Sequence, residues 1–149
     1  MSSFFGTDGI RGKTSLDDID EEEAIRWLEE KRTLTPSFVR VLGEALSHCQ
    51  PGMAGEGATV VIGWDQRPHN AALVDALTLG LRLTGSRVIH VGECATPSLH
   101  HAVLAFEARM GCMITANMVV RMLHVVQTFN ISLLLHLRIS RLSTVSLLF

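Results

Sequence analysis

The glycine-rich segment near the amino terminus contains the residues best suited to binding a charged ligand. Residues 5–12 read FGTDGIRG, with glycines at Gly6, Gly9 and Gly12 and one cation, Arg11. Glycine adopts backbone conformations that other residues avoid, and it lets the main chain approach a ligand closely. A guanidinium on such a short loop is suited to bidentate capture of a phosphate group. Short glycine strings are weak motifs, so a glycine-rich turn whose arginine pairs with a surface carboxylate is an equal alternative from these residues alone.

A second charged pair, Asp65 and Arg67, follows a predicted strand. That strand covers residues 58–62, a short apolar run between Gly57 and Gly63. Functional loops collect at the carboxyl ends of strands in open α/β sheets. We nevertheless interpret Asp65 and Arg67 as a structural ion pair that fixes the loop, because partly buried carboxylate–guanidinium pairs organise loops more often than they catalyse.

The elements that must position these residues alternate between apolar strands and amphipathic helices. Two helices are predicted to begin at Thr-Pro pairs, which supply an N-cap and a first helical residue: Thr35-Pro36 and Thr96-Pro97. Between them lies a third helix that ends at Gly85. Strands are predicted at residues 58–62, 87–91 and 112–115. This alternation predicts a three-layer α/β/α domain with a mostly parallel mixed sheet, incomplete at its carboxyl-terminal end. Residues 17–32 are predicted to form an additional helix.

The overall composition excludes several classes of partner. A net charge of -2 gives no reason to expect nucleic acid or an anionic membrane. The amino-terminal residues have neither the basic nor the apolar region of a secretory signal, and the three cysteines form no CxxC pair, so we expect free thiols and a cytoplasmic location. The seven histidines lack metal-ligand spacing, and no metal site is predicted from them.

An abrupt change of composition divides the chain into two regions, residues 1–116 and residues 117–149. After Gly111 there is no Gly, Pro, Asp, Glu or Lys, which is abnormal for a continuing α/β domain. A frameshift, a mis-joined exon or a gene fragment would account for such a tail. As a membrane anchor its apolar run is too short, because Arg138 and Arg141 interrupt it. An exposed apolar tail is also a possible self-association site.

Five motifs, in order along the chain, resemble those of the α-D-phosphohexomutase family, the group of phosphoglucosamine mutase, phosphomannomutase and phosphoglucomutase. They are FGTDGIRG at 5–12, LTP at 34–36, VVIGWDQR at 60–67, GECATP at 92–97 and GCMITA at 111–116. Each is weak alone, but the ordered set is specific. The first string suits phosphoglucosamine mutase best, and the resemblance covers the family's first domain only.

The resemblance implies roles for particular residues. In the family the first loop lies at the active-site cleft and its arginine helps to bind the phosphosugar. That role is transferred to Arg11, within the loop formed by Gly6, Thr7, Asp8, Gly9 and Gly12. The family continues its last motif with a serine that carries the transferred phosphoryl group, whereas this chain has Asn117. An amide has no hydroxyl oxygen for a phosphoester, so no intact catalytic residue is identified.

The function implied is transfer of a phosphoryl group between C1 and C6 of a hexose phosphate. The family uses magnesium, but none is expected to bind this chain, because the metal loop belongs to later domains. We expect the chain to be inactive as written, with hexose phosphate bound weakly or not at all. The alternatives are a non-catalytic module that binds a phosphosugar or a full-length mutase subunit, and a non-functional gene fragment.

Overall fold

A computed structural model of the chain describes residues 5–6, 9–49, 57–115 and 120–123. The strands are β1 (Phe5–Gly6), β2 (Gly9–Ile10), β3 (Lys13–Thr14), β4 (Thr33–Leu34), β5 (Thr59–Trp64), β6 (Arg87–Glu93), β7 (Met110–Ile114) and β8 (Val120–Leu123). The helices are α1 (Glu21–Lys31), α2 (Pro36–Cys49), α3 (Asn70–Leu83) and α4 (Thr96–Ala105).

Six of the strands form one mixed sheet in the order β1-β2-β8-β7-β5-β6. Strand β5 is parallel to both β6 and β7, as βαβ units require. Strand β8 is antiparallel to β7 and to β2, so β2 runs in the same direction as β5, β6 and β7. Strands β3 and β4 form a separate parallel pair.

Helices cover both faces of the sheet and produce three layers. On one face, α1, α2 and α3 enclose the larger core, which includes Leu28, Phe38 and Leu77 against Ile62 and other strand residues. On the other face, α4 packs Leu99 and Val103 against Val61 and Met113. Successive strand residues point to opposite faces, and this is why Val61 and Ile62 belong to different cores. The predicted fold class, an α/β/α domain, is confirmed.

Local chemistry determines where the helices begin and end. The Thr35 hydroxyl accepts from the backbone N–H of Phe38 at 3.3 Å, which confirms the predicted cap of α2. Helix α3 ends at Leu83, and Gly85 follows with φ +85°, the conformation that favours glycine. The predicted cap at Thr96 is wrong. Thr96 is already the first residue of α4, so the capping position falls on Ala95, which offers no side-chain acceptor.

The region predicted as a helix at 17–32 contains α1. The Asp20 carboxylate accepts from the backbone N–H of Glu23 at 2.8 Å, and acidic residues occupy the first turn, where they favour the helix dipole. Within the described residues, no helix is long and apolar enough to cross a membrane. The proposed division at residue 116 stays a prediction, because most of residues 117–149 lie outside the described part of the chain; within it, β8 extends the sheet.

Candidate functional site

One row of residues, paired across four neighbouring strands, brings the two predicted site loops to the same edge of the sheet. Ile10 pairs with Val120, Val120 with Ile114, and Ile114 with Trp64. Strands β2, β7 and β5 run in one direction, so the residues that follow the row emerge on the same side. These are Arg11, Thr115 and Asp65. Since neighbouring strands lie about 4.8 Å apart, the backbones of Arg11 and Thr115 are separated by about 10 Å, the width of one intervening strand.

The loop that carries Arg11 is held against the carboxyl end of α1. The backbone N–H of Lys13 donates to the Arg32 carbonyl oxygen at 2.8 Å, where β3 begins to pair with β4. A Cβ at Gly12 would collide with that same carbonyl oxygen and would lie 3.1 Å from a methyl group of Leu34. Arg32 itself has φ +50° and closes α1 in the left-handed conformation. Arg11 is exposed, one residue before this anchored point.

The other glycines of the loop have distinct positions. Gly6 and Gly9 pair across the antiparallel β1–β2 hairpin, and Gly9 has φ +141°, which favours glycine. Thr7 and Asp8, also assigned to the loop from the resemblance, lie outside the described residues. The FGTDGIRG segment is therefore a short hairpin followed by an anchored arginine, and not only an irregular glycine loop.

Asp65 organises the loop after β5 through Asn70. The amide nitrogen of Asn70 donates to the Asp65 carboxylate and to the Asp65 carbonyl oxygen, both at 2.7 Å. The Asp65 backbone N–H donates to the Ile114 carbonyl oxygen at 3.0 Å, which ties the loop to the end of β7. Asn70 is buried as the first residue of α3, and the sequence analysis did not identify it as the partner of Asp65.

The predicted ion pair between Asp65 and Arg67 is not among the contacts that join described residues. Arg67 is exposed, and it contacts Asp65 through its backbone, whose N–H donates to the Asp65 carbonyl oxygen at 2.9 Å. The physical reason is the tight turn between the two residues, which leaves the carboxylate directed to the amide of Asn70. Both residues thus belong to the loop, but the contact that holds it is different from the one predicted.

The described residues form no recognisable metal-binding site. Among them there is no group of three or more His, Cys, Asp or Glu side chains that could hold one. Magnesium prefers carboxylate and other oxygen ligands, and at this sheet edge Asp65 is already engaged by Asn70. The described residues therefore do not fit the magnesium that the resemblance implies for the family.

Two cysteines lie close to the edge and differ in burial. Cys94 follows β6, is half-buried, and donates its backbone N–H to the Trp64 carbonyl oxygen at 3.0 Å. Desolvation raises the pKa of the Cys94 thiol, an effect opposed by a backbone hydrogen bond with Trp64. Cys112 is fully buried within β7, and desolvation raises its pKa to about 12. Neither environment activates a thiolate, so the thiols do not supply a nucleophile here.

Position 117, where the resemblance expects a phosphorylated serine, lies outside the described residues. The described chain leads to Thr115, whose half-buried position follows β7 beside Asp65. The structure thus brings together Arg11, Asp65 and the end of β7, while the proposed roles of these residues stay predictions.

Comparisons with known proteins agree with this geometry. The family model for the phosphoglucomutase/phosphomannomutase α/β/α domain I matches residues 2–118. A phosphoglucosamine mutase of Frankia casuarinae is 36% identical over 118 residues, which are 78% of this chain and 24% of that protein. One of Thermus thermophilus is 35% identical over 118 residues, 78% of this chain and 23% of that protein. A phosphoglucomutase/phosphomannomutase of Thermococcus kodakarensis is 36% identical over 117 residues, 78% of this chain and 22% of that protein.

The chain spans about a quarter of the length of these curated relatives. The match runs from the glycine-rich hairpin through the third parallel strand, which are the segments that build the sheet edge described above. The family model covers well over half of the chain, and both the phosphoglucosamine mutases and the phosphoglucomutase/phosphomannomutase among its relatives agree with it. This chain therefore belongs to the phosphoglucomutase/phosphomannomutase family, of which it represents the α/β/α domain I.

Proposed function

We propose that this chain is a phosphohexose-binding domain of the mutase type that lacks the phosphoryl relay. The observation that carries the proposal is the shared row of the sheet, which puts Arg11 at the same edge as the end of β7 and the Asp65 loop. A cation presented beside a polar loop suits a sugar phosphate, because a guanidinium binds phosphate through two parallel hydrogen bonds. Of the ligands that the relatives' names suggest, a phosphoglucosamine is favoured.

The absence of phosphoryl transfer follows from the chemistry at position 117. A mutase relay needs a side-chain oxygen that accepts the phosphoryl group from one sugar oxygen and returns it to another. Asn117 offers a carboxamide, which cannot form the phosphoserine ester. Arg11 is expected to orient and neutralise the bound phosphate, while Asn117 cannot accept the phosphoryl group. A cytoplasmic location is proposed with this function, and the free thiols of Cys94 and Cys112 are compatible with it.

Calorimetric titration with glucosamine 6-phosphate tests the binding half of the proposal. We expect weak saturable binding, with a dissociation constant of about 1 mM, because one exposed cation is the main anchor. Replacing Arg11 with Gln should weaken binding about tenfold or more, as expected for loss of a charge-assisted hydrogen bond. The matched control is Arg26→Gln, an exposed arginine on α1, which should leave binding unchanged.

Absence of saturable heat from the folded chain would contradict the proposal and favour a non-functional remnant. Equal losses in the Arg11 and Arg26 variants would also contradict it, because binding would then reflect net charge. A phosphate at physiological ionic strength competes for the same cation, so the experiment compares glucosamine 6-phosphate with inorganic phosphate at equal concentration.

Mass spectrometry tests the second part of the proposal, that the chain lacks the phosphoryl relay. After incubation with glucosamine 1,6-bisphosphate, the unaltered chain should gain no covalent phosphate, and a coupled assay should detect no mutase turnover. The informative comparison is Asn117→Ser, which restores a hydroxyl at the proposed relay position. A phosphate adduct on the unaltered chain that exchanges with sugar phosphate would overturn the assignment of Asn117 as an inactive relay.

A further inference from the structure

The two faces of the sheet differ in how much of them the described helices cover. On one face, α1, α2 and α3 all contribute buried side chains to the larger core. On the other face the buried core consists of Val61, Leu99, Val103 and Met113, and among the described helices only α4 contributes to it. Within the described part of the chain, this second face is therefore the less covered one.

The width of the sheet shows how much of the second face α4 can cover. Six strands at a spacing of about 4.8 Å place the two outer strands about 24 Å apart, whereas a helix with its side chains is about 10–12 Å across. Helix α4 contacts β5 and β7, so it covers about two strands. Strands β8, β2 and β1 continue the sheet beyond β7. A layered α/β domain buries the apolar surface of its sheet under further elements, so there is room for one beside α4.

The carboxyl end of α4 carries large apolar side chains that are exposed. Leu104, in the last turn, is 56% exposed, and Phe106, which follows the helix as its C-cap, is 51% exposed. We call these two residues the α4 patch. Ala102 and Ala108 are half-buried and pack against the second core, so the patch lies next to that core. Exposed apolar side chains beside a partly covered core indicate a surface that another apolar segment can cover.

The chain leaves β8 close to the α4 patch. Leu123, the last residue of β8, pairs with Gly111 near the start of β7. Helix α4 ends at this same edge of the sheet, because the Arg109 backbone N–H donates to the Thr59 carbonyl oxygen at 2.9 Å, where β5 begins. Phe106 precedes Gly111 by five residues, so five extended residues and one strand spacing put Leu123 within about 23 Å of Phe106.

The residues that follow β8 have the composition of a segment that packs against apolar surface. Residues 124–149 contain no Asp, Glu or Lys, and more than half of them are Val, Ile, Leu or Phe. Exposing such a sequence to water is unfavourable, because each buried aliphatic or aromatic side chain gains about 1.5–3 kcal/mol. Twenty-six residues reach about 39 Å even as a helix, which is longer than the distance from Leu123 to the patch.

We propose that residues 124–149 dock in cis on the α4 side of the sheet, against the α4 patch, and complete this layer of the domain. The opposite face is a poorer choice, since three helices already cover it. A segment tethered at Leu123 has an effective concentration of about 1 mM near the patch, which favours its own chain over another molecule. The inference does not rest on sugar-phosphate binding.

Photochemical cross-linking of the full chain tests the proposal directly. The probe is p-benzoylphenylalanine in place of Phe106, an exposed aromatic position that tolerates the larger ring. After irradiation and digestion, mass spectrometry should find position 106 joined to a peptide from residues 124–149. The matched control places the same probe at Leu83, which is 61% exposed at the end of α3 on the opposite face, and should yield at least tenfold less of that product.

Isotope labelling distinguishes the segment of the same chain from that of a second copy. An equimolar mixture of ¹⁵N-labelled and unlabelled chains should give cross-linked peptides in which both parts carry the same label. Mixed-label products in the statistical proportion would overturn docking in cis. A folded chain whose position 106 gives no cross-link to residues 124–149 would overturn the proposal, as would equal yields from positions 106 and 83.

Limited trypsin digestion measures how firmly the segment is held. Arg138 and Arg141 are its two cleavage sites, and docking should protect them. Cleavage of a reversibly docked segment follows the population of its open form. Leu104→Asp/Phe106→Asp should therefore speed cleavage at these sites about tenfold or more. Leu79→Asp/Leu83→Asp, which changes two exposed leucines of α3, should change it less than about twofold. Equal rates in the two double variants would overturn the assignment of the α4 patch.

Discussion

At the scale of single residues, Gly12 controls where Arg11 can lie. The β3–β4 pairing brings the backbone at Gly12 so close to the Arg32 carbonyl group that a side chain has no room. The requirement for glycine at position 12 is therefore steric and does not depend on an unusual backbone φ. The carbonyl cannot move freely, because it accepts the Lys13 N–H and belongs to Arg32, the C-cap that closes α1.

Replacing Gly12 with Ala should force β3 away from β4 and lower the free energy of unfolding by about 1–3 kcal/mol, as overpacking against backbone does. The same shift should displace Arg11 and weaken phosphate-dependent binding. Urea unfolding and calorimetry measure the two effects separately. Lys13→Ala, at the exposed neighbouring position, keeps the backbone hydrogen bond and should change the unfolding free energy by less than about 0.5 kcal/mol. Equal losses in both variants would contradict the steric explanation.

Residue types predicted part of the candidate site. Arg11 was identified because a cation among glycines is chemically distinctive, and Asp65 because it follows an apolar strand. Asn70 was missed as the partner of Asp65, since a hydrogen bond between residues five positions apart depends on the loop's conformation. The contact between Gly12 and Arg32 joins residues twenty positions apart, and no local pattern encodes it.

At the scale of elements, helices α2 and α3 approach each other through a pair of glycines. A Cβ at Gly80 would collide with the Arg40 carbonyl oxygen, and one at Gly43 would lie 2.7 Å from the Leu77 carbonyl oxygen. The two backbones are therefore in direct contact at this crossing. The sequence predicted the helix that contains Gly80, but it could not show that a glycine of α2 faces it.

Gly80→Ala should be destabilising even though alanine is the better helix former. The propensity gain is about 1 kcal/mol, whereas separating two packed helices costs more, so we expect a net loss of about 1–3 kcal/mol in the free energy of unfolding. Leu79→Ala, at the adjacent exposed position of α3, is the control and should cost less than about 1 kcal/mol. Chemical denaturation measures both. A more stable Gly80→Ala variant would show that α2 and α3 can separate without cost.

The elements differ in how well the sequence predicts them. Strands β5 and β7 are mostly apolar runs, and their existence was predicted from that property; β7 is buried throughout, and β5 is buried except at its two end residues. Strands β1 to β4 have two residues each, too few for any periodicity to register. Strand β8 lies beyond the predicted boundary at residue 116, in a segment where apolar residues occur without alternation.

At the scale of the whole molecule, strand order brings distant segments to one edge. Strand β8 connects the amino-terminal hairpin to the parallel strands, because it pairs with both β2 and β7. The alternation of strands and helices predicted the parallel centre of the sheet. It could not predict that Arg11 emerges at the same edge as the end of β7, because that placement depends on the antiparallel pair Ile10 and Val120, which are 110 positions apart.

The reactivity of Cys112 measures how often this sheet opens. It lies in the middle of β7, paired with Ile62 on one side and Met122 on the other, and it is inaccessible to solvent. An alkylating reagent can therefore reach the thiol only when the sheet opens. In iodoacetamide labelling followed by peptide mass spectrometry, we expect Cys112 to react far more slowly than half-buried Cys94.

The same burial predicts how stability depends on alkaline pH. Burial raises the pKa of the Cys112 thiol from 9.0 to about 12, so the unfolded chain loses this proton at a lower pH than the folded chain. The contribution of the Cys112 thiol to the free energy of unfolding is constant below about pH 8. Between pH 9 and 12, its titration lowers that free energy by up to about 1.4 kcal/mol per pH unit. The chain has no tyrosine and only two lysines, Lys13 and Lys31, so few other side chains titrate in this range. Cys94, whose pKa burial also raises, contributes a decline of the same sign that is common to both proteins compared below. Urea unfolding from pH 7 to pH 11 should therefore show a decline that Cys112→Ala reduces. A decline of equal slope in both proteins would mean that the folded sheet admits the thiolate.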